Sequence, residues 1–194
     1  MAKPGRGFPL SVLLTLVLCA AAAALTLDAL RGPRAPRTAF TVLGADPVQM
    51  DNLLGRPLIV NFWATTCSIC RREMPKLADL YRDLHPRGLE LIGVAMPYDP
   101  PNLVAAFVQR SSLPYPVSLD IDARIVTAFG GVTATPTTFL ISPEGRILRR
   151  LEGRIDFPAL RRHVLTLLPR AQPRSRGQAA PAGTTAQLAM LERP

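Results

Sequence analysis

Cysteine and histidine are scarce in this sequence. Its 194 residues contain three cysteines, two histidines and one tryptophan. Three cysteines are too few for a disulfide-stabilised scaffold, and Cys19 lies inside an apolar N-terminal stretch. A structural zinc site needs four ligands, and besides a cysteine pair only His85, His163 and dispersed carboxylates are available. No metal site and no cofactor are predicted, and Cys67 and Cys70 remain as the one closely spaced pair.

Acidic residues are few compared with basic ones. Lysine and arginine together number 23 against 14 aspartate and glutamate residues, which gives a formal net charge of +9. Arginine supplies nearly all of the positive charge, and it is scattered through predicted helices, turns and the C-terminal tail without interleaved aromatic residues. Nucleic-acid-binding surfaces instead gather basic residues into a patch or stripe. We therefore predict a solvated basic surface and no nucleic-acid partner.

The N-terminal segment contains a long uncharged apolar stretch. Residues 8–27 follow Lys3 and Arg6, carry no charge and are long enough to cross a bilayer as a helix. We predict that residues 1–30 form a signal-anchor or transmembrane segment, with lipid contact through 8–27. The C-terminal domain is then placed outside the cytoplasm, on the periplasmic side of a bacterial inner membrane. Small residues at 20–24 leave cleavage by a signal peptidase and release into the periplasm as the alternative.

The chain length leaves room for one domain between two segments that lack an apolar period. Residues 31–38 form a predicted linker, because their arginine-rich sequence contains two prolines and favours an extended chain. Residues 169–194 are rich in proline, alanine, glutamine, arginine and threonine, and we predict a disordered tail there. The predicted domain covers residues 39–168, and no internal repeat is visible in its sequence.

Apolar runs in the domain alternate between strand and helix patterns. Buried strands are predicted at residues 57–63 and 89–96, with an amphipathic helix at 68–84 between them. A strand–helix–strand unit of this kind implies a parallel pair with a right-handed crossover. The remaining predicted elements are helices at 102–110, 124–129 and 157–168 and an antiparallel hairpin of strands 137–141 and 147–151. The pattern indicates an α/β fold with a central mixed sheet flanked by helices.

The motif that carries chemistry is Cys67-Ser68-Ile69-Cys70, which follows a predicted strand and opens a predicted helix. Two intervening residues let both sulfurs meet across the first helical turn. Unpaired N–H groups and the positive end of the helix dipole stabilise a thiolate at that place. Because the thiolate is the attacking form in disulfide exchange, Cys67 is the predicted nucleophile and Cys70 the resolving thiol.

Two stretches resemble the membrane-anchored thioredoxin-like proteins of the TlpA, ResA and cytochrome c maturation type. They are Asn-Phe-Trp-Ala-Thr-Thr-Cys-Ser-Ile-Cys-Arg-Arg-Glu-Met-Pro at 61–75 and Gly-Val-Thr-Ala-Thr-Pro-Thr-Thr-Phe-Leu-Ile at 131–141. The resemblance covers residues 39–168 and implies a thioredoxin-like fold. It also implies a cis Pro136 that faces the cysteines and a Thr135 that offers backbone groups to a bound polypeptide. The residues alone would favour a trans bond, which is the usual state of an X–Pro peptide.

Glu73 and Trp63 are further candidate site residues. Glu73 falls one turn beyond Cys70 on the same helix face, and the resemblance links a glutamate at this position to proton handling at the dithiol. The alternative is a solvated glutamate paired with Arg71 or Arg72. Trp63 is predicted near the sulfurs, either as a residue that binds the client protein or as a packing residue.

The predicted activity is reduction of disulfides in client proteins, which makes the chain a thiol–disulfide oxidoreductase. The resemblance adds apocytochrome c as a candidate client and a membrane protein as the electron donor. Direction depends on the reduction potential and on the partner, so a dithiol oxidase on the same fold stays open. The residues between the cysteines are Ser68-Ile69, whereas many relatives have proline directly before the second cysteine. The reduction potential of those relatives is therefore not assumed for this chain.

Two other functions agree less well with these residues. A peroxidase of the peroxiredoxin type has threonine or serine three positions before its reactive cysteine, where this sequence has Ala64. The copper-delivery proteins that this fold resembles have three residues between their two cysteines and a distal histidine ligand. Here the spacing is two, and His163 lies in the last predicted helix. Dithiol exchange is therefore favoured over a peroxidase and over copper delivery.

Overall fold

Seven strands of the computed structural model, which describes residues 10–169, form one mixed sheet. The strands are β1 (Ala39–Val42), β2 (Val48–Gln49), β3 (Leu58–Trp63), β4 (Glu90–Ala95), β5 (Val117–Leu119), β6 (Thr137–Ile141) and β7 (Ile147–Glu152). Their order is β2-β1-β5-β4-β3-β6-β7, with β5, β4 and β3 parallel and the outer pairs antiparallel. The predicted α/β fold with a central mixed sheet is confirmed.

Five α-helices accompany this sheet in the described part of the chain. They are α1 (Leu10–Leu30), α2 (Ser68–Leu84), α3 (Pro101–Ser111), α4 (Arg124–Ala128) and α5 (Phe157–Leu167). The four helices and four strands predicted within the domain agree with these bounds to within one residue at each end. Strands β1, β2 and β5 were not predicted, because they are two to four residues long and too short for a periodic pattern.

Two buried layers cover the sheet, because side chains of β3 point alternately to its two faces. The α2 layer lies beneath α2, α3 and α5 and includes Ile59, Trp63, Cys70, Leu77, Tyr115, Leu140 and Leu160. The α4 layer lies on the side of α4 and includes Phe40, Val60, Phe62, Val94, Ile125, Phe129 and Phe139. All six residues of β3 and all six of β4 are buried, as expected for parallel strands in the centre of an α/β sheet.

The N-terminal helix α1 covers most of the predicted membrane segment. Among the helices of residues 10–169, none combines the length and the apolar character required to span a bilayer. The predicted bilayer span over residues 8–27 is thus not confirmed. The predicted disordered tail, residues 169–194, lies outside the described residues except for its first position.

The predicted linker, residues 31–38, is extended but bound to the domain. The Ala35 N–H donates to the carbonyl of Gly145, and the Ile147 N–H donates to the carbonyl of Pro33, both at 2.8 Å. These bonds lay the chain antiparallel along the start of β7, which is an edge strand. The prolines predicted an extended linker; the edge strand in addition supplies partners for its backbone.

Arg146 and Gly32 close the same contact. The Arg146 guanidinium donates to the Gly32 carbonyl at 3.0 Å and pairs with the Asp28 carboxylate at the end of α1. Gly32 has a φ of +83°, and a Cβ there would lie 2.8 Å from the carbonyl oxygen of Ile147. Glycine is therefore required at this position.

Candidate active site

The turn after β3 delivers Cys67 to the start of α2. The Cys67 N–H donates to the carbonyl of Ala64 at 3.1 Å, which closes the turn, and α2 begins at the next residue. Cys67 is the N-cap of α2, and its Sγ accepts from the Cys70 N–H at 3.1 Å. A sulfur at the N-terminus of a helix, with an N–H directed at it, is placed to carry negative charge.

Cys67 and Cys70 form a disulfide and differ in exposure. Cys67 is partly exposed, whereas Cys70 is buried, with 2% of its surface accessible. An incoming sulfur thus reaches Cys67 first. This asymmetry fits the predicted assignment of nucleophile and resolving thiol.

Glu73 is buried on α2, one turn after Cys70. The residue is 8% exposed, and its Oε1 accepts from the Ile155 N–H at 2.9 Å, in the segment before α5. Its Oε2 has no hydrogen-bond partner within the described residues. The alternative of a solvated glutamate paired with Arg71 or Arg72 is wrong, because the side chain is buried and its carboxylate binds the Ile155 N–H.

Thr135 and Pro136 lie at the same end of the sheet as the cysteines. The first residue of β6, Thr137, pairs with Phe62 near the end of β3, so the residues before β6 lie beside the turn after β3. The Thr135–Pro136 peptide bond is cis, as the resemblance implied and the residues alone did not. Pro136 is buried and its carbonyl accepts from the Gly153 N–H at 2.8 Å, while Thr135 is partly exposed.

Trp63 does not have the surface position expected of a client-binding residue. Its side chain is 0% exposed in the α2 layer, with its ring centroid 5.3 Å from that of Phe107. The assignment of Trp63 to client binding is therefore wrong for this structure. The residue is the third in the alternation of Ile59, Asn61 and Trp63, which places it on the face covered by the helices.

Comparison with known proteins identifies the family of this chain. Residues 32–150 match the AhpC/TSA family. The thiol–disulfide oxidoreductase ResA of Bacillus thuringiensis subsp. konkukian (strain 97-27) is 30% identical over 139 residues, which are 71% of this chain and 79% of the relative. ResA of Bacillus subtilis (strain 168) is 30% identical over 122 residues, 63% of this chain and 67% of the relative. The chain belongs to the ResA-type thiol–disulfide oxidoreductases.

A solved structure confirms the fold of this ResA-type chain. The crystal structure of a thiol:disulfide interchange protein of the thioredoxin family from Chlorobium tepidum TLS aligns with a TM-score of 0.65. The two proteins are 26% identical, and the alignment covers 71% of this chain and 97% of the other. The thioredoxin-like fold is confirmed, and the chain is an enzyme of thiol–disulfide exchange.

The two alternative functions find little support in the site of this ResA-type chain. Ala64, at the position where a peroxidase would place threonine or serine, is 0% exposed. His163 is exposed on α5. Residues 10–169 contain no group of three or more histidine, cysteine or acidic side chains arranged to hold a metal ion.

Asp99 is a site residue that sequence reasoning missed. It lies in the loop between β4 and α3, is 5% exposed and accepts two hydrogen bonds from Thr65. Thr65 stands two residues before Cys67. The available signal was an aspartate shortly after a buried parallel strand, since the carboxyl ends of parallel strands gather at one edge of the sheet.

Proposed function

We propose that this chain reduces disulfides in client proteins outside the cytoplasm through Cys67 and Cys70. The observation that carries the proposal is the asymmetry of the pair, with Cys67 partly exposed at the start of α2 and Cys70 buried. Exchange with a protein needs one sulfur that a large partner reaches. It also needs a second sulfur that is held back until the mixed disulfide has formed.

The first step is attack by the Cys67 thiolate on one sulfur of the client disulfide. A bond forms between Cys67 Sγ and that sulfur, and the client S–S bond breaks. The other client sulfur leaves as a thiolate and takes up a proton. The Cys70 N–H, 3.1 Å from Cys67 Sγ, and the N-terminus of α2 stabilise the attacking thiolate.

The second step is resolution by Cys70. Its thiol loses a proton, and its sulfur attacks Cys67 Sγ, which releases the second client sulfur as a thiolate. Two electrons have then passed from the enzyme dithiol to the client, and the enzyme holds the Cys67–Cys70 disulfide. We propose Glu73 as the group that exchanges the Cys70 proton, because its carboxylate is buried one turn away with Oε2 unpartnered among the described residues.

Client binding is proposed at Thr135. This residue is partly exposed before the buried cis Pro136, and its backbone N–H and C=O make no hydrogen bond to another described residue. An extended client segment would pair with these two groups, as a strand pairs with a sheet edge. Apocytochrome c is the candidate client, on the strength of the resemblance to cytochrome c maturation proteins.

Residues 8–27 support an extracytoplasmic location. This stretch is uncharged and apolar, which suits an export signal or an anchor. We propose that it stays attached and holds the domain near a membrane protein that returns the disulfide to the dithiol. Fractionation of cells that express the full chain tests this. Recovery of a shortened chain in the soluble extracytoplasmic fraction would show that the segment is a cleaved signal.

A trapping experiment tests the mechanism. In Cys70→Ser the first step proceeds and the second does not, so we expect a mixed disulfide between Cys67 and the client that is released by dithiothreitol. Cys67→Ser is the matched control and should trap little. Equal trapping by the two variants would contradict the assignment of Cys67 as nucleophile.

The reduction potential tests the direction. Equilibration of the full chain with glutathione buffers should give a value clearly more negative than about −200 mV, as for a reductant. A value near about −120 mV, in the range of a strong disulfide oxidant, would favour the oxidase instead. The readout is the fraction of Cys67–Cys70 disulfide, measured in a Cys19→Ser background so that only this pair reacts.

A further inference from the structure

The loop after β4 contains a buried carboxylate that holds the turn in front of the dithiol. The Thr65 N–H donates to Asp99 Oδ2 and the Thr65 hydroxyl donates to Asp99 Oδ1, each at 2.5 Å. Asp99 is 5% exposed, and its own N–H donates to the carbonyl of Met96 at 2.9 Å. The carboxylate is thus itself fixed, and both of its oxygens bind the same residue.

Thr65 occupies the part of the turn that β-sheet pairing does not hold. Before it, the Met96 N–H donates to the Trp63 carbonyl at 3.0 Å and extends the β3–β4 ladder by one step. After it, the Cys67 N–H bonds to Ala64 within the turn itself, at 3.1 Å. Asp99 therefore connects the middle of this turn to the loop that follows β4.

We propose that Asp99 is a positioning residue for thiol–disulfide exchange. By fixing Thr65 it keeps Cys67 at the N-cap of α2, where its sulfur meets the Cys70 N–H and the helix dipole. Two hydrogen bonds from one residue to a single fixed side chain set both the position and the orientation of Thr65, which suits a turn that must hold its shape while sulfur bonds form and break. The proposal rests on the proposed exchange function and adds a residue to it.

Asp120 provides a comparison within the same chain. It is 3% exposed, directly follows β5, and accepts from the Ile125 N–H at 2.9 Å and the Val126 N–H at 2.7 Å. Like Asp99, it is a buried carboxylate that binds two donors after a parallel strand. Its donors belong to α4, however, and not to the turn that carries Cys67. Loss of Asp120 should therefore affect folding and leave exchange unaffected.

The test measures the rate at which the reduced full chain is oxidised by glutathione disulfide, in a Cys19→Ser background and at a temperature where each variant is folded. Asp99→Ala should react about tenfold more slowly or worse, since small misplacements of a reacting group have effects of this size. Asp99→Asn should stay within about threefold of wild type. Its amide oxygen can accept from the Thr65 N–H, and its amide N–H can donate to the Thr65 hydroxyl oxygen.

The controls separate position from stability and from charge. Asp120→Ala should lower the midpoint of thermal unfolding and react within about twofold of wild type. If Asp99→Ala does not fold, Thr65→Val removes one of the two bonds and should slow the reaction by about threefold. A wild-type rate in folded Asp99→Ala, or in Thr65→Val where that variant is the one measured, would overturn the proposal. An equal loss in Asp99→Ala and Asp99→Asn would do the same, since the charge would then be responsible.

Failure of the proposed function would give a different result from failure of the positioning role. A wild-type chain whose reduced pair does not react with glutathione disulfide would refute dithiol exchange itself. A reactive wild type with an unaffected Asp99→Ala would refute the positioning role alone.

Discussion

The two buried layers of this protein differ in how their polar groups are satisfied. In the described residues, three buried side-chain atoms lack a hydrogen-bond partner: Trp63 Nε1, Glu73 Oε2 and Tyr115 Oη. Trp63 and Tyr115 belong to the α2 layer, and Glu73 lies on α2 itself. On the α4 side, the buried carboxylate of Asp120 uses both oxygens to bind the start of α4.

This difference indicates that the layer beneath the dithiol keeps polar atoms that stability alone does not favour. A buried polar atom without a partner is unfavourable by about 1–3 kcal/mol, so it persists where another requirement outweighs stability. The layer beneath the dithiol contains all three such atoms of the described residues. The α4 layer instead packs aromatic rings, with the Phe62 and Phe129 centroids 5.3 Å apart and those of Phe129 and Phe139 4.9 Å apart. Cys67 packs against both layers, so we expect substitutions outside its turn, such as at Phe40, to alter stability alone.

The largest expected effect is loss of stability in the α4 layer. Phe40 is 0% exposed on β1, and Phe40→Ala should lower the free energy of unfolding by about 3–5 kcal/mol. Urea unfolding measures this change. The alkylation rate of Cys67 by iodoacetamide in the folded variant should equal that of wild type. If Phe40→Ala is unfolded, Phe40→Leu offers the same comparison with a smaller loss, and a changed alkylation rate would show that the layers are coupled.

The difference between the layers was only partly predictable from sequence. Helix α2 was predicted with its observed bounds, because a local apolar period and the CxxC motif mark it. The burial of Glu73 depends on Ile155, 82 residues further along the chain, and no local pattern reports such a contact. Likewise, β1 pairs Thr41 with Leu119, so both strands are recognisable only once the sheet has formed.

The residues of the site were likewise only partly predictable from the sequence. The two cysteines follow from a motif in its structural context, and the cis state of Pro136 followed from a family resemblance where the residues gave no sign of it. For Trp63 the packing alternative agrees with its burial and client binding does not. The sequence left both open, because an apolar run of a central strand does not reveal which residues each layer covers. Asp99 was missed because its partner, Thr65, lies on another loop.

An intermediate effect is expected at Glu73. Glu73→Gln keeps an acceptor for the Ile155 N–H and removes the carboxylate, so stability should be unchanged or slightly higher. The exchange rate with glutathione disulfide should fall about tenfold, equivalent to about 1.4 kcal/mol, if the carboxylate moves a proton at the dithiol. Glu73→Ala, which also loses the bond to Ile155, should lower stability as well. An unchanged rate in Glu73→Gln would leave Glu73 a structural residue of the α2 layer.

The smallest effect is expected at Tyr115. Its hydroxyl is buried without a partner in the described residues, so Tyr115→Phe should raise the free energy of unfolding, and the small cavity left by the lost oxygen should keep the gain below about 1 kcal/mol. Burial raises the pKa of Tyr115 well above its ordinary value, which favours the neutral phenol in the folded state. The unfolded chain therefore ionises first, near the ordinary tyrosine pKa of about 10.

The pH dependence of stability distinguishes this group from the rest of the layer. Because the folded pKa is raised, the contribution of Tyr115 is fully present below about pH 10 and is lost as pH rises from there towards the folded value. Urea unfolding is measured from pH 9 to pH 11, roughly one unit on either side of the ordinary tyrosine pKa. The free energy of unfolding of wild type should fall as the pH rises over this range. The slope should be shallower in Tyr115→Phe. Part of it should remain, since the pKa of Tyr81 is also raised, by burial and then by the charge of Glu90. Equal slopes in the two proteins would show that the Tyr115 hydroxyl finds a partner, such as a buried water, that stabilises its ionised form.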